Sequence, residues 1–469
     1  MFYPYNIKSI LPMRLFTKLT IGIFSGVLLL SSCKKDIPES DEIQVSLPAA
    51  KYDSKVAQDW NDLYIEIDRF APGYRPCPTT AAQGYLGIAC YEALIAGMPE
   101  YQTIQNEVGV EIPKVFKGVE YHWPSVYNAV QGYLMKRFFP HISDNLIGKI
   151  TLLEKKYDDQ FRDQIDPEVF NRSKLYGQEV ATAVWNWAKT DAVSTDAYLD
   201  IFQGYNWATR YNKPGDWRPT STGLQNGMFP YWGQARTFAI SEDMKICRPP
   251  IPHSDDPNSE LYVQALEVVE TVKNQDLVNI GVFWSDDLLG LTFSPPIRFL
   301  VIANQIYAHE DVSLEKAIVS NAKLGITLND IAVACWNSKY YYNVERPETY
   351  IRRNINPEWQ TKLNNPITGE KGITPAFPAY PSGHSTFGAG GAEVLATEFG
   401  YSYAMTDRCH ENRTEFYGTP KAFTSLRAMA EENAFSRIYL GVHFRMDCDE
   451  GLRYGTEIGR KVARLPWKK

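Results

Sequence analysis

Apolar positions recur at helical intervals through most of this chain, and the strict alternation that marks half-buried strands is almost absent. Thr79 to Met98 carries small and apolar residues at helical spacing, Ser143 to Ile165 is amphipathic with mixed charge, and Ser173 to Thr190 repeats the pattern. Further helical patterns begin at Ser259, Ile297, Ser313 and Thr419. Within the Ser313 segment, Leu324, Leu328, Ile331 and Cys335 form a buried stripe that delivers Lys339 at the helix end. Tyr198 to Ser254 is different in kind, rich in Gly, Pro, Trp and Tyr, and reads as a long irregular excursion. Long loops of this sort are often functional, so it is expected to line an active-site mouth. The pattern predicts an all-α protein, with an N-terminal helical region and its aromatic excursion over 51–257 and a C-terminal helical bundle over 258–469. No repeat of solenoid length is visible.

Composition changes this picture only a little. The chain has 469 residues, of which 44% are hydrophobic, enough for two or more packed layers. A formal charge of −7 argues against nucleic acid as a partner. The N-terminus says more. Lys8, Arg14 and Lys18 precede an apolar run from Ile21 to Leu30, too short for a comfortable membrane span, and Leu30-Ser31-Ser32-Cys33 follows. This resembles a bacterial lipoprotein signal over 1–32, with Cys33 as the lipidated residue and 33–50 as a polar tether to a membrane surface. The expected location is extracytoplasmic, on the outer membrane or the periplasmic face. Six other cysteines, at 77, 90, 247, 335, 409 and 448, show no spacing that fixes a disulfide or a zinc site.

Three short segments carry the chemistry: Lys339 to Arg346-Pro347, Pro381-Ser382-Gly383-His384, and Ser436-Arg437 to His443 and Asp447. A tetrahedral oxyanion such as phosphate or vanadate spreads charge over several oxygens, so it is held by guanidinium forks, an ammonium, hydroxyls and backbone N–H groups. Lys339, Arg346, Arg437, Ser382 and the Gly383 amide supply that set. One imidazole can then bond to the central atom while another moves protons, and His443 and His384 fit those roles.

Spacing suggests how the fold presents these groups. Lys339 and Arg346 would fall on nearly one helix face, with Pro347 ending the helix about there. Ser382 reads as an N-cap, and a helix N-terminus is a natural anion seat. That helix runs through the small residues 385–391 to Val394, Leu395 and Phe399 and stops at Gly400. Arg437 and His443 would sit about 120° apart on one helix, so a break is expected between Ile438 and Val442, helped by Gly441. His443 and Asp447 would then share a face of the following helix, the carboxylate fixing the imidazole tautomer.

The three motifs together resemble the complete signature of the vanadium-dependent haloperoxidase and type 2 phosphatidic acid phosphatase superfamily. The resemblance implies an all-α bundle of that type from about Phe283 to Gly455, with an additional helical region before it. It also implies one of two chemistries. In a phosphatase, His443 attacks phosphorus and His384 protonates the leaving group of a phosphate ester. In a haloperoxidase, His443 ligates the vanadium of vanadate and His384 assists proton transfer from hydrogen peroxide before a halide is oxidised.

Other features resemble the haloperoxidase side. Trp336 and Phe377 fall where haloperoxidases place aromatic residues around the halide. Phe377-Pro378-Ala379-Tyr380 before the second motif, and Ser385-Thr386-Phe387-Gly388 after it, resemble the haloperoxidase form. Phe283-Trp284-Ser285-Asp286-Asp287, followed by Pro295-Pro296, resembles a stretch whose acidic residue pairs with the motif-three arginine. Asp287 is favoured over Asp286 by its distance to the prolines. The reading is a membrane-tethered, vanadate-dependent haloperoxidase-like enzyme preferring iodide or bromide, in which a homo-oligomer is possible. The alternatives are a phosphomonoesterase acting through phospho-His443 and a non-catalytic oxyanion-binding lipoprotein. His253 beside Asp255 and Asp256 reads as part of a loop, and His122, His141, His309 and His410 show no ligand spacing.

Overall fold

The computed structural model describes residues 46–191, 193–220 and 225–469, so the signal, Cys33 and most of the tether lie outside the described residues. The N-terminal helices are α1 (Lys55–Phe70), α2 (Cys77–Leu94), the short α3 (Gln105–Val108), α4 (Trp123–Phe138), α5 (Asp144–Arg162) and α6 (Pro167–Ala188). After the irregular stretch come α7 (Glu260–Thr271), α8 (Gln275–Phe283), α9 (Arg298–Glu310), α10 (Leu314–Tyr342) and α11 (Pro347–Asn354). The chain closes with α12 (Gly383–Phe399), α13 (Leu426–Tyr439) and α14 (Arg445–Ala463). Among the described residues the strands form one antiparallel pair, Met405–Asp407 with Lys421–Phe423. That pair corrects the helix expected from Thr419: Ser425 is the residue whose hydroxyl accepts the Ala428 N–H, so the helix begins only at Leu426.

The helix α10 is the spine. It is capped by Ser313, whose side chain accepts the Lys316 N–H, and it ends at Asn343 in the left-handed region. The stripe Leu324, Leu328, Ile331 and Cys335 is wholly buried. One side of α10 packs on α2, which leads on to α4 and, through α4, to α5 and α6; another side packs on α12, which in turn packs on α13 and α14. Residues 44–469 form one compact unit, so the change of sequence character near 257 is bridged by the α2–α10 contact.

The small residues after Ser382 have a packing reason. A Cβ at Gly455 of α14 would stand 2.0 Å from the Thr386 carbonyl oxygen of α12. The two backbones therefore touch, and this fixes Ser382 and His384, at one end of α12, against Asp447, at the start of α14. No helix among the described residues is long and apolar enough to cross a membrane.

Candidate active site

Ser382 is the N-cap of α12, with its hydroxyl accepting the Ser385 N–H at 3.3 Å. Gly383 opens the helix, so its N–H has no carbonyl a turn behind it. His384 follows, 6% exposed, its carbonyl accepting from Asn433 Nδ2 at 3.1 Å. The predicted break after Arg437 falls between α13 and α14, where Gly441 takes φ +78° and lets the chain reverse.

His443 departs from expectation. It precedes Phe444, the N-cap of α14, and is not on the helix itself. Asp447 still reaches it, because as the third residue of α14 its carboxylate turns back over the helix start. There Oδ2 accepts both the Phe444 N–H (3.0 Å) and the His443 Nδ1–H (2.8 Å). The proton on Nδ1 makes Nε2 an acceptor, and Arg346 Nη1 donates to it at 3.0 Å.

Arg346 also corrects the single-helix picture. The helix carrying Lys339 stops at Tyr342, and Arg346 adopts extended backbone (φ −82°, ψ 155°) as the N-cap of α11, as a residue before proline prefers. Its Nε donates to the Phe377 carbonyl (3.0 Å) and Nη1 to the Val442 carbonyl (2.8 Å). Lys339 differs as well. Its ammonium donates to the carbonyls of Pro378 (2.9 Å), Ala379 (2.8 Å) and Pro381 (2.6 Å). A fully buried ammonium needs three acceptors, and the loop ahead of Ser382 supplies them, so Lys339 contributes its charge and fixes that loop.

The two adjacent aspartates separate. Asp287 Oδ2 accepts from Arg437 Nη2 at 2.7 Å and stands 3.9 Å from His384 Nε2. Asp286, expected as an alternative partner, turns away: it pairs with Arg298 at 3.1 Å and lies 3.1 Å from His410. Successive side chains of this turn point opposite ways, so only one can face the site. Arg298 and His410 were not legible from spacing, since nothing in the sequence around either marks a site. His253 lies 3.6 Å from Asp255 and 3.7 Å from Glu345, and no metal-holding group of side chains exists among the described residues.

Above the cradle, Gly383, His384, Asp287, Arg437 and His443 floor a cavity of about 400 Å³. Its wall includes Trp336, Phe377 and Phe387, with Trp336 and Phe377 ring centroids 4.9 Å apart. Phe377 lies 5.1 Å from the Lys339 ammonium and 5.1 Å from the Arg346 guanidinium carbon. Ile201 and Met228 from the irregular excursion also line it. Arg75, a residue that no sequence pattern signalled, closes it from the α1–α2 connection.

The charges are strained in one direction. Burial pushes Arg346 down to about 10. Burial and the neighbouring Arg437 push His384 down to about 3, and burial with Arg346, Lys339 and Arg437 drives His443 well below the usual imidazole range. Burial lowers Lys339 and raises Asp447, while each favours the charged form of the other. Three cations thus face two carboxylates and two neutral imidazoles.

Four nitrogens in this cluster are buried without a hydrogen-bond partner: Arg346 Nη2, Arg437 Nε and Nη1, and His384 Nε2. An unsatisfied buried donor costs about 1–3 kcal/mol, and more when charged. A tetrahedral oxyanion is the kind of group that satisfies the three arginine donors, so the residues fit phosphate or vanadate.

Known proteins place the chain in context. The family model for the VCPO second helical-bundle domain matches residues 320–466, a range that takes in all three motifs. Vanadium chloroperoxidase of Curvularia inaequalis is 25% identical over 279 residues, covering 46% of each protein. The chain therefore matches about half the length of that curated relative. The crystal structure of the first bacterial vanadium-dependent iodoperoxidase aligns with TM-score 0.76 at 24% identity, over 88% of this chain and 96% of that one. A holo-type bacterial vanadium-dependent chloroperoxidase aligns with TM-score 0.61 at 14% identity, over 85% and 93%. At these identities the structural likeness establishes a shared helical fold.

Proposed function

We propose that this chain, whose residues 320–466 carry the second helical-bundle domain of the vanadium chloroperoxidase type, works as a vanadate-dependent haloperoxidase using hydrogen peroxide. The observation that carries the reading is the set of unpaired buried nitrogens, donors on Arg346 and Arg437 and the Nε2 of His384, lying beneath an aromatic-walled cavity. Arg346, Arg437, Ser382 and the Gly383 amide would hold the oxyanion, with Lys339 adding charge, and His443 Nε2 would be its protein ligand. Bound vanadate would supply a Lewis-acidic centre that makes peroxide reactive toward halide.

The remaining work falls to the protein. Asp447 keeps the proton on His443 Nδ1, so that Nε2 always presents its lone pair. His384, neutral in the free site, takes up a proton at Nε2, and Asp287 at 3.9 Å favours the resulting charge. Trp336, Phe377 and Phe387 exclude water from one side of the cradle.

Iodide and then bromide are the favoured substrates. These large, weakly hydrated anions suit an aromatic wall backed by cations, and the neighbour with the higher TM-score is an iodoperoxidase. Phosphomonoester hydrolysis is the second reading, because the same unpaired donors would hold phosphate equally well. A neutral His384 suits a proton acceptor better than the leaving-group acid such a phosphatase needs, and the intact histidine pair counts against a pure binder. The Leu30–Cys33 run supports an extracytoplasmic, lipid-anchored location, tested by mass spectrometry of the mature N-terminus.

The test is a paired assay on one preparation. Orthovanadate-loaded protein is given peroxide with iodide, bromide or chloride, and vanadate-free protein is given a phosphate monoester. Halide oxidation, fastest with iodide, is expected. Ester turnover with no oxidation of any halide would overturn the reading.

A further inference from the structure

Behind Asp287, on the side away from the cavity, lies a second buried charge cluster that the proposed chemistry does not use. Arg298 is 1% exposed and bridges two aspartates, with Nη1 3.1 Å from Asp286 Oδ2 and Nη2 2.7 Å from Asp407 Oδ2. Its guanidinium carbon sits 4.1 Å from the Trp284 ring centroid and 4.5 Å from that of Phe283, and Nη1 also donates to the Phe283 carbonyl at 2.9 Å. His410 stacks on Phe293 at 5.2 Å with an interplanar angle of 11°, and its Nε2 is 3.1 Å from Asp286 Oδ1. Both carboxylate oxygens of Asp286 are therefore in contact with groups from α9 and from the loop after the first strand, and Arg298 Nη1 itself lies 2.9 Å from His410 Nε2, which ties the three side chains together.

The backbone of the same turn is held independently. Arg75 Nη2 donates to the Asp286 carbonyl at 2.8 Å and Nη1 to the Thr292 carbonyl at 2.9 Å. The Asp286 N–H bonds to the Trp284 carbonyl at 3.0 Å. With its side chain clamped to the rear and its carbonyl clamped by Arg75, residue 286 leaves its neighbour one direction in which to point. That direction is toward Arg437 and His384.

We propose that Asp286, anchored by Arg298 and His410, is a positioning residue that seats the Asp287 carboxylate against Arg437 and beside His384. The proposal rests on the reading of the cradle as an oxyanion site. Its physical content is negative as much as positive. A carboxylate on a loose turn beside an anion site would swing onto the unpaired Arg437 donors and compete with the oxyanion. Asp286 prevents this by fixing the turn, so its effect requires that Asp287 carry a carboxylate.

That requirement gives a test that a merely structural role would not pass. Calorimetric titration with orthovanadate is performed on the unmodified protein, Asp286→Asn, Asp287→Asn and the double variant. Asp286→Asn is expected to weaken binding about tenfold while Asp287 is present, and by less than about twofold on the Asp287→Asn background. His410→Phe, which keeps the stack on Phe293, is expected to follow the same pattern and carries the test should Asp286→Asn fail to fold. Equal weakening on both backgrounds, or none on either, would overturn the positioning role and leave the oxyanion reading standing. No orthovanadate binding by the unmodified protein would overturn both.

Discussion

Arg346 and Arg298 are both fully buried, yet their surroundings act on them in opposite ways. Arg298 lies between Asp286 and Asp407, and those two carboxylates hold its charge more firmly than water would. Arg346 shares its surroundings with Lys339 and Arg437, and burial pushes it down to about 10. Both terminal nitrogens of Arg298 have partners and its Nε has none, whereas Arg346 Nη2 and Arg437 Nη1 and Nε have none. The rear cluster sets its arginine between two carboxylates, with His410 Nδ1 as its other unpaired nitrogen. The front cluster carries surplus cations beneath a cavity, and that combination is what distinguishes a binding site from a buried salt bridge.

The comparison is most exposed to failure at the arginines themselves. Arg298→Met would leave two buried aspartates without their cation, a loss of about 3–5 kcal/mol of stability. Arg346→Met would remove a cation that its surroundings disfavour, costing about 1–2 kcal/mol through the carbonyls left unpaired. It should weaken orthovanadate binding about 10- to 100-fold. Denaturant unfolding in oxyanion-free buffer measures the first pair of numbers. Equal stability losses for the two variants would erase the distinction between the two clusters.

A smaller effect concerns pH. His384 titrates near 3 in the folded, anion-free protein against about 6.5 when unfolded. Between these values the unfolded chain binds more protons, so the stability contribution is intact above about 6.5 and declines as pH falls toward 3. A bound oxyanion offsets the surplus cations and raises His384, so inorganic phosphate should flatten the decline. Thermal midpoints between pH 7 and 4.5 test this, with His384→Gln expected to lose stability less steeply than the unmodified protein. Identical slopes would contradict the assignment.

How much of this was legible beforehand follows from what each part depends on. Local residue type reveals caps and breaks, so Ser382, Ser313, Gly441 and the stripe on α10 could be read from the chain. Motif residues could be read because anion chemistry restricts them to a few types. The helices α1, α3, α4, α8 and α11 have no counterpart among the helical patterns of the sequence. In α4, buried residues occur nearly all the way round, which blurs helical periodicity. Tertiary placement was least legible. His443 lies ahead of its helix, Arg346 lies off the helix that carries Lys339, and the choice between Asp286 and Asp287 is made by Arg298, His410 and Arg75 from distant parts of the chain. No spacing rule reaches those contacts.

The central claim is that the incomplete front cluster is an oxyanion site that supports peroxide chemistry. The most direct measurement is stepwise addition of orthovanadate to vanadate-free protein while triiodide formation from iodide and hydrogen peroxide is followed. Activity is predicted to rise to a plateau at one equivalent, with His443→Ala lower by at least about a thousandfold. Iodide oxidation that is indifferent to vanadate, or that survives His443→Ala undiminished, would contradict it.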